Sequence, residues 1–381
     1  MIATLIPPPK ILSLSKAEQA FIRLFTSLRA GTLQIFFPSG QSIAIKGSGL
    51  GVEAQLYLAS PDLAASWRRD GAMAILHSYQ QGKWDSPDLL KLFYLFFTNL
   101  DVLDAAFAHR RRSWWRWWRH SSAPDNAPIP SVCLGANHDA SGAIFPKDNK
   151  NLAKAQEHKR NLLLTRLEIK PEEQVLEIGC GRGALAELII TRAEAGYTGV
   201  VASQEDWHDA RKRLGDLRYK NRQKASIRFH PFWALDGRYD AIAMLETLES
   251  VAVNKRLAML RCLKKLLRAK GRLALQTVLV PEEAQEASAN NGLLSLASFP
   301  GRFFWGKKTL EKGLAGVYLT LDEPLIFNRH YAQTLRTWRD RLPEDHNAPH
   351  NRGWALRLAA LEAAFLGGQL QALQATVRHT T

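Results

Sequence analysis

Apolar positions recur along the chain in two different rhythms. LQIFF (33–37) and QSIAI (41–45) are short runs rich in β-branched and aromatic side chains, and Pro38, Ser39 and Gly40 lie between them. That pattern predicts a β-hairpin. Helical patterns follow to about residue 108. The most apolar of them, LLKLFYLFFTNLDVLDAAFA (89–108), is interrupted by Lys91, Asn99, Asp101 and Asp104, so it is not expected to span a bilayer. SSAPDNAPIP (121–130), rich in Pro, Ser and Ala, reads as a linker. Beyond residue 150 the rhythm changes. A charged helical stretch (151–167) leads into VLEI (175–178), TGVVAS (198–203), YDAIAML (239–245) and GRLALQTVLV (271–280), with helical patterns between them. Strands alternating with helices predict an α/β fold with a parallel sheet.

Composition and charge narrow the partners. A chain of 381 residues suits two domains. Its 51 Lys and Arg against 36 Asp and Glu leave a net charge of +15, which calls for an anionic partner, a lipid surface or a polynucleotide. HRRRSWWRWWRH (109–120) sharpens that choice. Wound as a helix, it gathers Trp114, Trp115, Trp117 and Trp118 on one side and Arg112, Arg116 and Arg119 on the other. Such a segment suits an anionic membrane interface, nucleic acid, or a linker whose indoles pack inward. Nucleic-acid binding asks in addition for a recognisable module or stacking aromatics on strands, and the sequence holds neither, so no nucleic-acid partner is expected.

Cys133, Cys180 and Cys262 are odd in number and far apart, with no zinc-like spacing; no metal is expected, and a reducing compartment is. The opening MIATLIPPPKILSLS lacks the charged start and apolar run of a signal peptide. The expected location is cytoplasmic, at the inner membrane surface without crossing it.

The densest chemical signal is VLEIGCGRGALAELI (175–189). A buried strand ends in Gly179, Gly181 and Gly183, and a helix starts at Ala184. Glycines there let a ligand approach the backbone at a helix N-terminus. Dinucleotide-binding folds also use glycine-rich turns, but Glu177 within the strand, in the form E-x-G-x-G-x-G, favours S-adenosylmethionine.

With these residues in view, the chain resembles the cyclopropane-fatty-acyl-phospholipid synthase family of class I methyltransferases. The resemblance rests on five stretches in order: SYQQGKWDSPDLLKL (78–92), the glycine turn with the helix before it, TGVVASQEDWHDA (198–210), LDGRYDAIAMLETLESVA (235–252) with its paired glutamates, and FNRHYAQTLRTWRDRL (327–342). It implies a Rossmann-like class I methyltransferase sheet with helical substrate-pocket insertions, plus a small, mostly helical N-terminal domain carrying the hairpin. The implied domains are 1–120, a linker with a shortened active-site loop at 121–150, and a catalytic domain at 151–381. The implied activity is methylation or cyclopropanation of a cis double bond in a phospholipid acyl chain, with S-adenosylmethionine held by Glu177, Gly179, Gly181, Gly183, Ser203 and Asp206. In the family the base is a bicarbonate ion held by a cysteine loop, a glutamate, a histidine and a tyrosine.

Carried over one at a time, those positions are partly altered here. Glu249 stands at the glutamate and Tyr331 at the tyrosine. Gln276 replaces the histidine, a change associated with branches that make methyl-branched chains, and Gly142 in SGAIF (141–145) replaces the cysteine. Arg182 stands where the turn usually has tryptophan, Pro231 where an acidic residue neighbours adenine, and FPGR (299–302) is what remains of a longer glycine segment.

Glu246 and Glu249, three apart, share a face if a helical turn begins there; a helix start that merely favours acids is the plainer alternative. A core tyrosine is the plainer account of Tyr331, whereas Gln276 at the end of an apolar strand requires a partner. The resemblance makes Glu246, Glu249, Gln276 and Tyr331 the candidate catalytic residues. Besides methyl transfer, the altered site leaves room for an acyl-chain desaturase with a redox partner, and for a non-catalytic lipid-binding subunit of a paralogue. A homodimer is also left open.

Overall fold

The computed structural model describes residues 4–6, 14–60, 62–107, 129–135, 138–215, 225–281, 289, 292–299, 301–343, 345 and 348–380. The Trp/Arg segment 109–120 and most of the expected linker (121–128) lie outside them. The chain forms two units, and neither is one continuous stretch. The first comprises residues 1–133, 284–301 and 335–369; the second comprises 134–283, 302–334 and 370–381. Two segments grouped by sequence pattern with 151–381 thus fold in the first unit. The reason lies in packing. The helix Pro349–Leu366 is buried almost all round, and it packs on the helix Leu89–Thr98, a pairing that periodicity cannot specify.

In the first unit the expected hairpin is present. β2 (Ala30–Phe36) pairs antiparallel with β3 (Ser42–Lys46). It belongs to a larger sheet, with β1 (Thr4–Ile6), β4 (Gly49–Leu58) and β5 (Trp84–Asp85) in the order β1-β3-β2-β4-β5. The apolar run 89–108 becomes two helices, Leu89–Thr98 and Leu100–Phe107. Asn99 between them is fully buried. Its side chain accepts from the Arg29 and Ala30 amides and donates to the Ala30 and Leu95 carbonyls, so the polar interruption is a structural joint. Among the described residues no helix is long and apolar enough to cross a membrane.

The second unit holds β6 (Gln174–Ile178), β7 (Gly196–Val201), β8 (Ala225–Phe229), β9 (Tyr239–Leu245), β10 (Leu267–Val280), β11 (Trp305–Gly306), β12 (Leu319–Ile326) and β13 (Gln371–His379). Their order is β12-β13-β10-β9-β6-β7-β8, with β11 beside β10. From β10 to β8 the neighbours are parallel; β13 runs antiparallel to β10 and β12.

Alternation along the strands builds two cores. Leu176, Ile242, Met244, Leu273 and Leu275 meet Met259, Leu260 and Leu263 of the helix Arg256–Leu266. Val175, Ala241, Ala243 and Ala274 meet Leu163 of the helix Leu152–Leu167 and Ile189 of the helix Ala184–Arg192. Burial on both faces explains why these strands read as continuous apolar runs. The chain leaves β6 towards β7 on one side and returns to β9 on the other. This is the switch point at which the carboxyl ends of parallel strands open a ligand crevice.

Candidate active site

β6 ends at the crevice, and the turn after it is shaped by glycine. Gly179, Gly181 and Gly183 have φ of 78°, 49° and 79°, the left-handed region that side chains disfavour. A Cβ on Gly179 would lie 2.4 Å from Thr247 Oγ1, while nothing lies within 4 Å of one on Gly181. The turn is therefore closed against its own fold at one end and open at the other, as a cradle for a ligand requires. These features fit S-adenosylmethionine.

The other expected cofactor residues are placed unequally. Ser203 caps the helix Gln204–Gly215, its Oγ accepting from the Asp206 amide at 3.0 Å. Glu177 is buried and accepts from the Tyr197 hydroxyl at 2.5 Å; burial pushes its carboxyl up to about 7. It thus lies in the sheet and not in the turn. Arg182 turns to the helix Gln204–Gly215, 2.7 Å from Glu205, 3.1 Å from Asp209 and 3.8 Å from Asp206. The tip expected to face a ribose is thereby drawn towards the glycine turn.

Thr247, which fills the space behind Gly179, also separates the paired glutamates. Glu246 has φ of 47°, a strained value for a residue with a long side chain. Its carboxylate accepts three hydrogen bonds: Gly142 N–H and Gln276 Nε2 to Oε1, both at 2.9 Å, and the Tyr331 hydroxyl to Oε2 at 2.8 Å. The Glu246 amide donates to the Gln276 carbonyl at 2.7 Å, and Arg302 donates to the Glu246 carbonyl. Glu249 is held differently. Oε1 accepts from the Thr277 hydroxyl at 2.7 Å and the Val278 amide at 2.6 Å, and Oε2, though buried, has no partner among the described residues. Burial, and then the Glu246 charge, push the Glu249 carboxyl up to about 7, against Arg302. Burial likewise raises Glu246 and holds the Tyr331 hydroxyl well above its ordinary value, so Tyr331 stays a donor.

The four expected catalytic residues therefore come together. Gln276 finds the partners its burial demanded: its Nε2 also donates to the Gly142 carbonyl at 3.0 Å, and its Oε1 accepts from Gln374 at 3.1 Å. Gly142 explains its own identity, because a Cβ there would lie 2.3 Å from the Tyr331 ring.

Several residues escaped the sequence reading. Lys159, fully buried, bonds Asp139 at 2.7 Å and Ser141 Oγ at 2.6 Å. Arg160 meets the same carboxylate at 3.2 Å, and Gln156 donates to the Ser141 carbonyl at 2.9 Å. Burial pushes the Asp139 carboxyl up, but Lys159, Ser141 and Arg160 together outweigh it and the net shift is downward. This cluster fixes 139–141, hence the Gly142 amide. A signal was present: Gln156, Lys159 and Arg160 interrupt the buried stripe of Leu152, Ala155, Leu163 and Leu167. Thr334, accepting from the Ala143 amide at 3.1 Å, left no such trace. Among the described residues no cluster of His, Cys, Asp and Glu could hold a metal ion.

The profile of the family described as mycolic acid cyclopropane synthetase matches residues 131–375. The chain belongs to that family. Its members are S-adenosylmethionine-dependent methyltransferases, the enzyme class the glycine turn pointed to. A tuberculostearic acid methyltransferase of Mycobacterium tuberculosis is 25% identical over 358 residues, covering 84% of this chain and 82% of its own. A cyclopropane-fatty-acyl-phospholipid synthase of Escherichia coli is 26% identical over 230 residues, 56% of this chain and 57% of its own. Among solved structures, the cyclopropane synthase MmaA2 from Mycobacterium tuberculosis superposes with a TM-score of 0.59 at 21% identity, over 65% of this chain and 92% of its own. This synthetase-family chain thus shares the class I methyltransferase fold.

Proposed function

We propose that the chain methylates a cis double bond in the acyl chain of a membrane phospholipid. The observation that carries this is the pair of buried carboxylates, Glu246 and Glu249, on a turn whose Thr247 backs directly onto Gly179 of the cofactor cradle. Relatives named as fatty-acyl and phospholipid enzymes support the substrate class, and their names favour methyl transfer over desaturation.

Gly179, Gly181 and Gly183 would hold S-adenosylmethionine, with Ser203 and Asp206 at its ribose. When bound, it supplies an electrophilic methyl group. An alkene that accepts a methyl cation becomes a carbocation, and the chain's own residues must stabilise it and exclude water. Glu246 supplies the negative potential in a buried, low-dielectric setting, where charge stabilisation is strongest. Tyr331, Gln276 and the Gly142 amide keep the Glu246 carboxylate fixed before reaction, so little reorganisation accompanies charge formation. Loss of a proton then yields a cyclopropane or an alkene one methyl larger.

The lipid itself is reached from an anionic membrane surface, supported by the net charge of +15 and the indole-rich segment 109–120. Mass spectrometry of phospholipids from a bacterium rich in monounsaturated chains, with and without this protein, tests the proposal. Acyl chains heavier by one CH₂, labelled by methyl-deuterated methionine, are expected. Unchanged lipids in the presence of folded, abundant protein would overturn it.

A further inference from the structure

An anion beside the reacting carbons needs donors, and the donors here are already engaged by the chain itself. The resemblance in sequence assigned the loop at 142 and residues 276 and 331 to an ion recruited from solution. In the structure the Gly142 amide, the Gln276 carboxamide and the Tyr331 hydroxyl all converge on the carboxylate of Glu246. A second anion against the same three groups would sit next to that carboxylate in a buried setting, where like charges repel strongly.

We infer that Glu246 is the reaction's internal base, standing where an exogenous anion would otherwise be bound. This rests on the methyl-transfer reading above. The step is a proton transfer: a C–H bond of the methylated carbocation breaks, and its proton joins a carboxylate oxygen of Glu246. The electron pair left behind closes the third side of a cyclopropane, or forms a new C=C bond. Nothing is oxidised or reduced, and the proton returns to solvent from the glutamic acid.

Three further observations support a base over a purely structural carboxylate. Among the described residues the hydrogen-bond donors to the Glu246 carboxylate are all neutral, and no cation pairs with it directly, although the more distant Lys159 ammonium acts on it through space; Arg302 donates to the backbone carbonyl. The residue is kept at φ of 47°, a strained geometry of the kind that collects at functional sites. Each donor is itself immobilised: Gln276 by Gln374 and the Gly142 carbonyl, Gly142 by the Tyr331 ring, and Tyr331 by its stack on Phe327. Glu249, with one unpartnered buried oxygen, divides the labour as the carboxyl that carries a proton, because environments that differ in this way separate acid from base.

The test is Glu246→Gly, since glycine accepts the left-handed backbone, compared with Glu246→Gln and the unaltered enzyme in carbonate-free buffer with defined additions of bicarbonate or formate. The unaltered enzyme should methylate lipid equally with and without added anion. Glu246→Gly should lose about 100-fold or more, as expected when a positioned base is removed, and should recover at least ~10-fold in a saturable way on addition of either anion. Glu246→Gln should be as impaired but not rescued, because its carboxamide fills the space. Independently of activity, bicarbonate should raise the melting temperature of Glu246→Gly by roughly a few degrees, saturably, and leave the unaltered protein unmoved.

An unaltered enzyme that depends on added bicarbonate overturns the inference. So does a Glu246→Gly variant that is fully active without anion, or one that is impaired but neither rescued nor stabilised. If the unaltered enzyme leaves lipid unmethylated while anion stabilises only Glu246→Gly, the methyl-transfer reading falls and the anion seat stands.

Discussion

A single methyl group added at position 142 would meet the Tyr331 ring at 2.3 Å. Gly142→Ala is therefore expected to push Tyr331 away from Glu246 or lift the loop that carries the Gly142 amide. Overpacking of this kind costs about 1–3 kcal/mol, readable as a lowered urea midpoint, and kcat should fall more than KM changes. At position 249 the prediction concerns pH. Burial and then Glu246 raise this carboxyl, while Arg302, the Val278 amide and the Thr277 hydroxyl lower it, and the balance leaves it at about 7. Since the unfolded value is near 4.5, folding favours the protonated form. That stabilisation is complete below the unfolded value and is lost as pH rises through 7. Glu249→Gln removes the penalty: near pH 5 its stability should approach that of the unaltered protein, and by pH 8 it should exceed it by up to about 3 kcal/mol. Chemical denaturation at the two pH values checks this; a constant difference would refute it.

The helix Leu152–Leu167 shows how one element serves the site without touching the reacting atoms. Asn151 caps it, accepting from the Lys154 amide, and Leu163 and Leu167 anchor it to the sheet core. That leaves Gln156, Lys159 and Arg160 to grip residues 139–141. Lys159→Met strips Asp139 of its closest cation while retaining bulk. Breaking a buried pair from one side typically costs about 3–5 kcal/mol; Arg160 remains, so the lower end is expected in urea unfolding, together with reduced kcat as Gly142 loses its footing. The turn between β6 and the helix Ala184–Arg192 was plain in the sequence because glycine spacing reports backbone geometry directly. The grip of Lys159 was only hinted at, since a charge on an apolar stripe signals a partner without naming it.

At the scale of the whole molecule, the net charge of +15 makes the proposed binding to an anionic lipid surface testable through ionic strength. Association with vesicles containing anionic phospholipid is expected to fall about tenfold or more between roughly 0.05 and 0.5 M salt. Replacing Trp114, Trp115, Trp117 and Trp118 with alanine should weaken the portion that survives high salt, because indoles act through apolar insertion. Co-sedimentation resolves both; binding that is indifferent to salt would count against an electrostatic surface.

Resemblance to a family singled out Glu246, Glu249, Gln276 and Tyr331. The order of residues alone was enough to show the alternating strands and helices, the hairpin at 33–45, the glycine turn and the demand of Gln276 for a partner. These follow from local rules: side-chain period, glycine's backbone freedom, and the need of a buried polar group for a partner. Tertiary structure decided the rest. It drew 284–301 and 335–369 into the first unit, turned Arg182 onto the acids of the next helix, and set the Glu246 carboxylate among the donors of Gly142, Gln276 and Tyr331. Those groups are separated by up to about two hundred positions in the chain. Which donor meets which acceptor across such gaps is settled by how the layers pack, and no local pattern encodes it.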